Sequence, residues 1–453
     1  MRFGIKDTNT TGWCIMDNFK IVYHSMDNKL ALAAAIEGLV ESAESIDTDL
    51  LTNPAEADLY AAISTGKKVA GDIENVSKEE ADAAFAGLQS AIDDARANIK
   101  AGELLESTYW EKFVGILEEY GENAMPAVQT QAAAADAKYD TAENMTTAEL
   151  NAYIDELNYL AEALLVPAEA AEASDENPVD LTESILVAKG VDVDFEDYSA
   201  VGANANYPGW SGSGFGTGGG TAGPVGERWN QTNGFNTYVD LKGLPEGTYI
   251  LSCDGAYRIG GSAGAADWNV VYGEETTDQY AYLYAETAAG KEFKILPNIA
   301  EGKLTEEECA NNGIDNTSNC DSYAVNVPTG EVDEEGNPIT ESIKYYFPNQ
   351  LYTADQWMQA GFYKNTEVTF KVGADGNARI GVRRDKGQGN NWCYVDNFKL
   401  IYLGANSSAQ PTAIDNIAVS SASKAIYTIS GVRVSNMNKA GLYITNGKKI
   451  LVK

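Results

Sequence analysis

The chain has 453 residues, with 32 Lys and Arg against 67 Asp and Glu, a net charge of −35. So acidic a chain argues against nucleic acid and anionic membrane as partners, since both need a basic footprint. No apolar run approaches the ~18 residues of a transmembrane helix, and the length predicts about three or more domains.

Residues 1–26 are strand-like and show no signal peptide, so the sequence reads as cytoplasmic or as lacking its upstream part. Gly12–His24, GWCIMDNFKIVYH, is nearly copied at Asn391–Leu403, NWCYVDNFKLIYL. RFGIK at Arg2–Lys6 matches RIGVR at Arg379–Arg383 in the same way. Two strands of a sandwich cannot bury their faces without the others. Residues 1–26 are therefore expected to end an earlier, truncated sandwich.

Residues 28–172 are rich in Ala, Glu and Leu and read as six helices. Leu32, Ile36, Leu39, Ala43 and Ile46 make one apolar stripe at 3–4 spacing. Asn53-Pro54 reads as an N-cap followed by a helix-starting proline. Ser77-x-x-Glu80 and Thr146-x-x-Glu149 are capping boxes. The third stripe is Phe85, Leu88, Ile92, Ala95 and Ile99; the pattern restarts after Gly102 with Leu105, Tyr109, Phe113, Ile116 and Tyr120. The expected arrangement is two three-helix bundles, residues 27–101 and 102–175. Their pattern resembles the FIVAR-type modules of bacterial surface proteins, which implies spacers between binding domains.

Residues 176–404 carry short alternating runs and turn residues, which favour an antiparallel β-sandwich. Val239 and Leu241, the turn Leu244-Pro245-Glu246-Gly247, and Tyr249, Leu251 and Cys253 read as a strand pair. QYAYLYAE, EVTFKVGA and ARIGVRR supply further strands, and a long insertion falls at about 301–344. VDFEDY, Gly209-Trp210, LPEGTY, GAYR and WCYVDNFKL, in that order, resemble a galactose-binding-like jelly roll, a fold common among carbohydrate-binding modules. The resemblance implies that the first and last strands are neighbours. It also implies a structural calcium held by Glu196 and Asp396, for which backbone carbonyls would have to complete the coordination. The plainer reading has Asp396 and Asn397 bonding loop backbone.

Sugar binding by such a fold needs aromatic rings to stack on pyranose faces and polar groups to bond hydroxyls. The candidate rings are Trp210, Trp229, Trp268, Tyr272 and Trp357, with Trp268 the preferred exposed one; Trp210 and Trp392 sit where they look structural. Arg258 and Arg384 are candidates for bonding hydroxyls, or for pairing with acids. No cysteine lies in a CxxC pair, which removes zinc-ribbon and thioredoxin motifs. Cys309 and Cys320 flank ANNGIDNTSN and either close a loop disulfide, in an oxidising compartment, or remain thiols.

The chain contains one histidine, His24, with no visible catalytic partner. GSGFGTGGGTAG lacks the Lys-Ser/Thr of a P-loop. No carboxylate pair is marked out, so no catalytic residue is expected. After the linker at 405–415, residues 416–453 read as four short strands. Tyr427, Ser430, Gly431, Arg433, Gly441, Tyr443, Gly447 and Lys448 resemble the C-terminal sorting domains of type IX secretion substrates. That resemblance implies secretion machinery as a partner and an extracellular or outer-membrane-surface destination. The combined expectation is a multidomain α and β protein: helical spacers, a non-catalytic glycan-binding sandwich and an export tail. The alternatives are an adhesive surface protein without glycan binding and the accessory part of a larger glycoside hydrolase.

Overall fold

The computed structural model describes residues 28–452 apart from 219–222, 261–263, 274, 315, 413–425, 429–432, 435–440 and 446–447. The expectations for residues 1–26, with Cys14 and His24, and for Ser430, Gly431 and Gly447 lie outside the described residues. The chain is mixed α and β. It divides into two compact units, Met1–Lys112 with Ala133–Asn158, and Phe113–Ala132 with Tyr159–Lys453. The helices ahead of the sandwich are α1 (Asn28–Glu44), α2 (Asn53–Gly71), α3 (Lys78–Ser107), α4 (Gly115–Tyr120), α5 (Pro126–Tyr139) and α6 (Thr147–Ala163).

In the first unit α1, α2 and α3 close on Ile36, Val40, Leu59, Ile63, Leu88 and Ile92, an apolar core of the kind that 3–4 spacing produces. A Cβ at Gly66 would lie 3.1 Å from both Leu88 and Val40, so glycine sets the closeness of α2. The Ser77–Glu80 capping box forms. At Asn53-Pro54 the cap is Thr52 instead, and it makes no capping bond. Its hydroxyl and amide both donate to the buried Asn98 side chain, which outweighs local capping. Helix α3 does not stop at Gly102 but continues to Ser107, and Thr108–Val114 is a π-helical turn. One helical glycine costs only ~1 kcal/mol relative to alanine. The boundary expected between residues 101 and 102 thus falls inside a helix.

The second unit holds a sandwich of two antiparallel sheets. Its strands are β1 (Val179–Asp180), β2 (Ser211–Gly212), β3 (Gly226–Trp229), β4 (Phe235–Leu241), β5 (Gly247–Arg258), β6 (Ala281–Thr287) and β7 (Gly290–Ile295). A ribbon of β8 (Cys320–Val332) and β9 (Pro338–Pro348) follows, then β10 (Thr366–Val372), β11 (Ala378–Arg384) and β12 (Trp392–Gly404). One sheet runs β1-β12-β5-β10, with β3 also on β12; the other runs β2-β4-β11-β6-β7. The first and last strands are indeed neighbours, Val179 opposite Tyr402.

The strand pair read across the LPEGTY turn is not a hairpin. Strand β4 pairs with β11 and β5 with β12 and β10, so the turn crosses from one sheet to the other. Leu241, Leu244, Tyr249 and Leu251 all join one core between the sheets, which a flat hairpin would not allow. The insertion reaches further than expected. Residues 296–363 contribute Leu304, Cys309, Tyr346, Phe347, Trp357 and Tyr363 to a second core laid on Ala256, Trp392 and Tyr394, on the outer face of the first sheet. The front of the linker is pinned: Ser408 N–H donates to Asp175 at 2.9 Å and Thr369 N–H to the Thr412 hydroxyl at 2.6 Å. The tail forms its own sheet in the order Arg433–Val434, Ile426–Thr428, Gly441–Thr445, Lys448–Val452.

The end of α6 is stitched to the sandwich within this unit. The Glu162 carboxylate accepts from Lys242 N–H at 2.9 Å and from the Lys189 ammonium at 2.5 Å. Gly243 sits at φ +67°, and a Cβ there would lie 2.6 Å from the Ala163 nitrogen. Gly243→Ala combines backbone strain with a collision against backbone, so it should destabilise the unit by about 3 kcal/mol or more. Calorimetry would show this as a melting transition lowered by several degrees; an unchanged transition would show that this junction yields freely.

Candidate functional site

Two of the candidate rings are committed to cores. Trp210 is 9% exposed and packs on Phe195, Phe215 and Phe398, its indole N–H donating to the Asp192 carbonyl at 2.7 Å. Trp357 is fully buried and donates to the Gly302 carbonyl at 2.8 Å. Neither offers a free face. The sequence marked Trp210 as structural-looking but carried no marker for Trp357, because the layer that buries Trp357 is built from the insertion.

Trp229 is different. It ends β3 with 52% of its surface exposed, and its indole has no ring contact or hydrogen bond among the described residues. The loop that follows it is tied down by hydrogen bonds. Asn230 N–H donates to the Asn391 carbonyl and Gln231 N–H to the Asn391 side chain, both at 2.8 Å. The Asn391 amide returns a bond to the Gln231 carbonyl at 2.9 Å, and Asn390 N–H donates to the Asn230 side chain at 3.0 Å. Asn230 and Asn390 hold φ of +55° and +61°, a conformation asparagine tolerates better than most residues. These asparagines were not singled out in the sequence, although their density around the repeated WC motif is the signal that marks them.

Beneath this loop lies Arg258, 8% exposed. Its Nη1 donates to Asp321 at 2.7 Å and to Asn349 at 2.5 Å, its Nε to the Asn390 carbonyl at 3.1 Å. The guanidinium lies over Trp392, whose N–H donates to Glu227 at 2.7 Å. Arg258 is therefore an internal brace between the insertion and the loop, with its Nε and Nη1 engaged there. Arg384 is also buried, donating to the Arg258 and Trp392 carbonyls. Burial pushes its guanidinium below the usual range and lifts the carboxyls of Glu227 and Asp267.

Trp268 and Tyr272 come together on the helix Ala265–Val271 and its C-cap, ring centroids 4.5 Å apart. Tyr323 of β8 and Tyr345 of β9, paired in register, complete the group at 5.5 and 5.2 Å from Trp268. Neither tyrosine was picked out, since only the ribbon's register brings them here. The Lys303 ammonium points into the group, 3.6 Å from the Tyr272 centroid, 4.5 Å from Trp268 and 4.9 Å from Tyr345. Trp268 is half-buried rather than freely exposed.

Asp396 faces Asp254 across the β5–β12 pair. Its two oxygens accept the backbone and side-chain N–H groups of Asn397 at 2.7 and 2.8 Å. Asp254 is held by Lys364 at 2.7 Å and by Asn365 N–H at 2.8 Å. Burial, with Asp254 adding repulsion, pushes the Asp396 carboxyl up to about 8, although its Asn397 bond pulls the other way. Glu196 is an exposed loop residue. A calcium ligand must be free to turn an oxygen outward; both Asp396 oxygens are bonded by Asn397 and Asp254 is held by Lys364 and Asn365, so this arrangement does not fit. Cys309, buried, and Cys320, half-buried, stand as separate thiols. Burial raises them to about 11 and about 12.

No family model matches the chain, and no curated protein matches it. Among solved structures, the carbohydrate-binding module TmCBM61, in complex with beta-1,4-galactotriose, is similar over 46% of this chain and 98% of its own, with 11% identity and a TM-score of 0.19. A likeness that small assigns no residue a role. Among the described residues no helix is long and apolar enough to cross a membrane.

Adding calcium to the full chain should leave its melting temperature within about 1 °C, because a cation that does not bind the folded state adds no stability. A larger upward shift, abolished by Asp396→Asn, would show that calcium displaces Lys364 and ionises Asp396.

Proposed function

We propose that the sandwich binds a glycan without catalysis and that Trp229 is the stacking platform. The observation that carries this is the half-exposed indole with no partner among the described residues, set on a loop that five amide-mediated bonds hold still. An exposed aromatic ring on a hydrogen-bonded loop loses little backbone freedom on binding, because the loop does not have to be ordered at that moment. The ring supplies apolar area to a sugar face. The helical unit serves as a spacer in this reading. The tail directs export through type IX secretion machinery to the cell surface or the medium, which rests on the tail's sequence alone.

A glycan array probed with the full chain should retain at least one glycan class. Trp229→Ala should weaken that binding about tenfold, the scale of one lost aromatic stack with its buried area. The melting temperature should hold within ~2 °C, because the ring is exposed. An empty array would favour the adhesive alternative, and undiminished binding by the variant would move the site elsewhere. Deleting residues 416–453 in the producing cell should leave the protein cell-associated; undiminished export of the shortened chain would remove the sorting role.

A further inference from the structure

The Lys303 ammonium makes no ion pair and no hydrogen bond among the described residues; its contacts are the faces of Tyr272, Trp268 and Tyr345. Three rings around one cation make an aromatic cage, the arrangement by which ring quadrupoles recognise ammonium groups. The cage is built without the lysine. Tyr272 is fixed by its hydroxyl donating to the Ala300 carbonyl at 3.0 Å, Trp268 by its helix, and Tyr345 by pairing with Tyr323. The lysine backbone is held on both sides as well. Gly302 accepts the Trp357 indole N–H, and Leu304 exchanges bonds with Tyr346 at 3.2 and 2.7 Å. Only the Lys303 side chain has to move for the cage to open.

A primary ammonium is a poor match for this space. It carries three N–H donors that water would satisfy and the rings do not, and burial lowers its pKa. A trimethylammonium group has the same charge, no donors to strand and a larger apolar surface for the rings. The surroundings favour a simple cation over a zwitterion, because Glu308 acts on the ammonium position and Glu301 on Tyr272.

We propose that Trp268, Tyr272 and Tyr345 form a binding site for a small molecule bearing a quaternary ammonium group, with Lys303 as a resident occupant that such a ligand displaces. Trp229 is not part of this cage, so the site stands apart from the glycan reading. The tethered lysine competes for the rings and lowers the ligand's apparent affinity by the fraction of time the cage is shut. Removing the lysine head group opens the site.

Calorimetric titration of the full chain with choline, and with its uncharged tert-butyl isostere, tests this. Choline should bind Lys303→Met about tenfold or more tighter than wild type. The isostere should bind neither, and adding Tyr272→Leu should remove choline binding. A folded Lys303→Met chain that takes up no choline, binds it no tighter than wild type, binds the isostere equally well, or keeps its affinity after Tyr272→Leu overturns the proposal. If Lys303→Met fails to fold, Lys303→Gln replaces it. If both fail, wild type decides: selective uptake of choline over the isostere supports the site, and its absence removes it.

Discussion

The antiparallel pair β5–β12 is buried on both faces, and the rest of the second unit is arranged around that constraint. Leu251, Cys253, Cys393 and Val395 face the core between the sheets. Ala256, Trp392 and Tyr394 face the other way and need a cover of their own. A one-sided sandwich would leave that row in water. The insertion supplies the cover, and its hairpin and helices are thereby fixed relative to the strands they sit on. Polar groups trapped at the margin of the second core must then be satisfied. Arg258 with Asp321, Trp392 with Glu227, and Asp254 with Lys364 are the pairs that do so. Each also fixes something beyond itself. Arg258 ties the insertion to the loop after β11, and that loop positions Asn390 and Asn391 beneath Trp229.

Much of this was legible as local pattern. Capping boxes at Ser77 and Thr146, the 3–4 stripes of α1 and α3, and the strand-like runs of β6, β10 and β11 are short-range signals that need no partner to be read. What failed depended on partners distant in sequence. Thr52 displaced Asn53 as a cap because Asn98, 46 residues on, offered a buried acceptor. Gly102 looked like a stop because glycine is a weak helix former, yet its cost is small beside what a packed stripe contributes. The LPEGTY turn was correctly a turn, but local residues cannot say whether the chain returns to its own sheet or crosses to the other. That choice is made by the shared core of Leu241, Leu244 and Tyr249.

The candidate site was legible in its residue types and not in their exposure. Trp210, Trp229, Trp268 and Trp357 are equivalent as letters. Their fates diverge because the insertion covers Trp357, the Phe195–Phe398 cluster encloses Trp210, and the tyrosines of the ribbon meet Trp268. Trp229 is left as the open ring. The arginines follow the same logic in reverse. The Nε and Nη1 of Arg258 are engaged with Asn390, Asp321 and Asn349, so in the glycan reading Arg258 braces the site rather than meeting what binds there.

This separation of bracing from contact bears on how selective either surface can be. In the glycan reading, a sugar meeting Trp229 would find the backbone of the loop already in place, so its stacking energy would not be diminished by ordering that loop. Specificity must then come from side chains at the rim that remain free to bond hydroxyls, because the Asn391 side chain is engaged with the Gln231 backbone, and the Gln231 side chain with the Trp229 carbonyl and Arg228. The Trp268 cage is the opposite case. Its rings are equally fixed, but its occupant is supplied by the chain, so access depends on one flexible side chain. One fold thus carries an open aromatic surface and a closed one, and the difference between them is whether a lysine lies within reach.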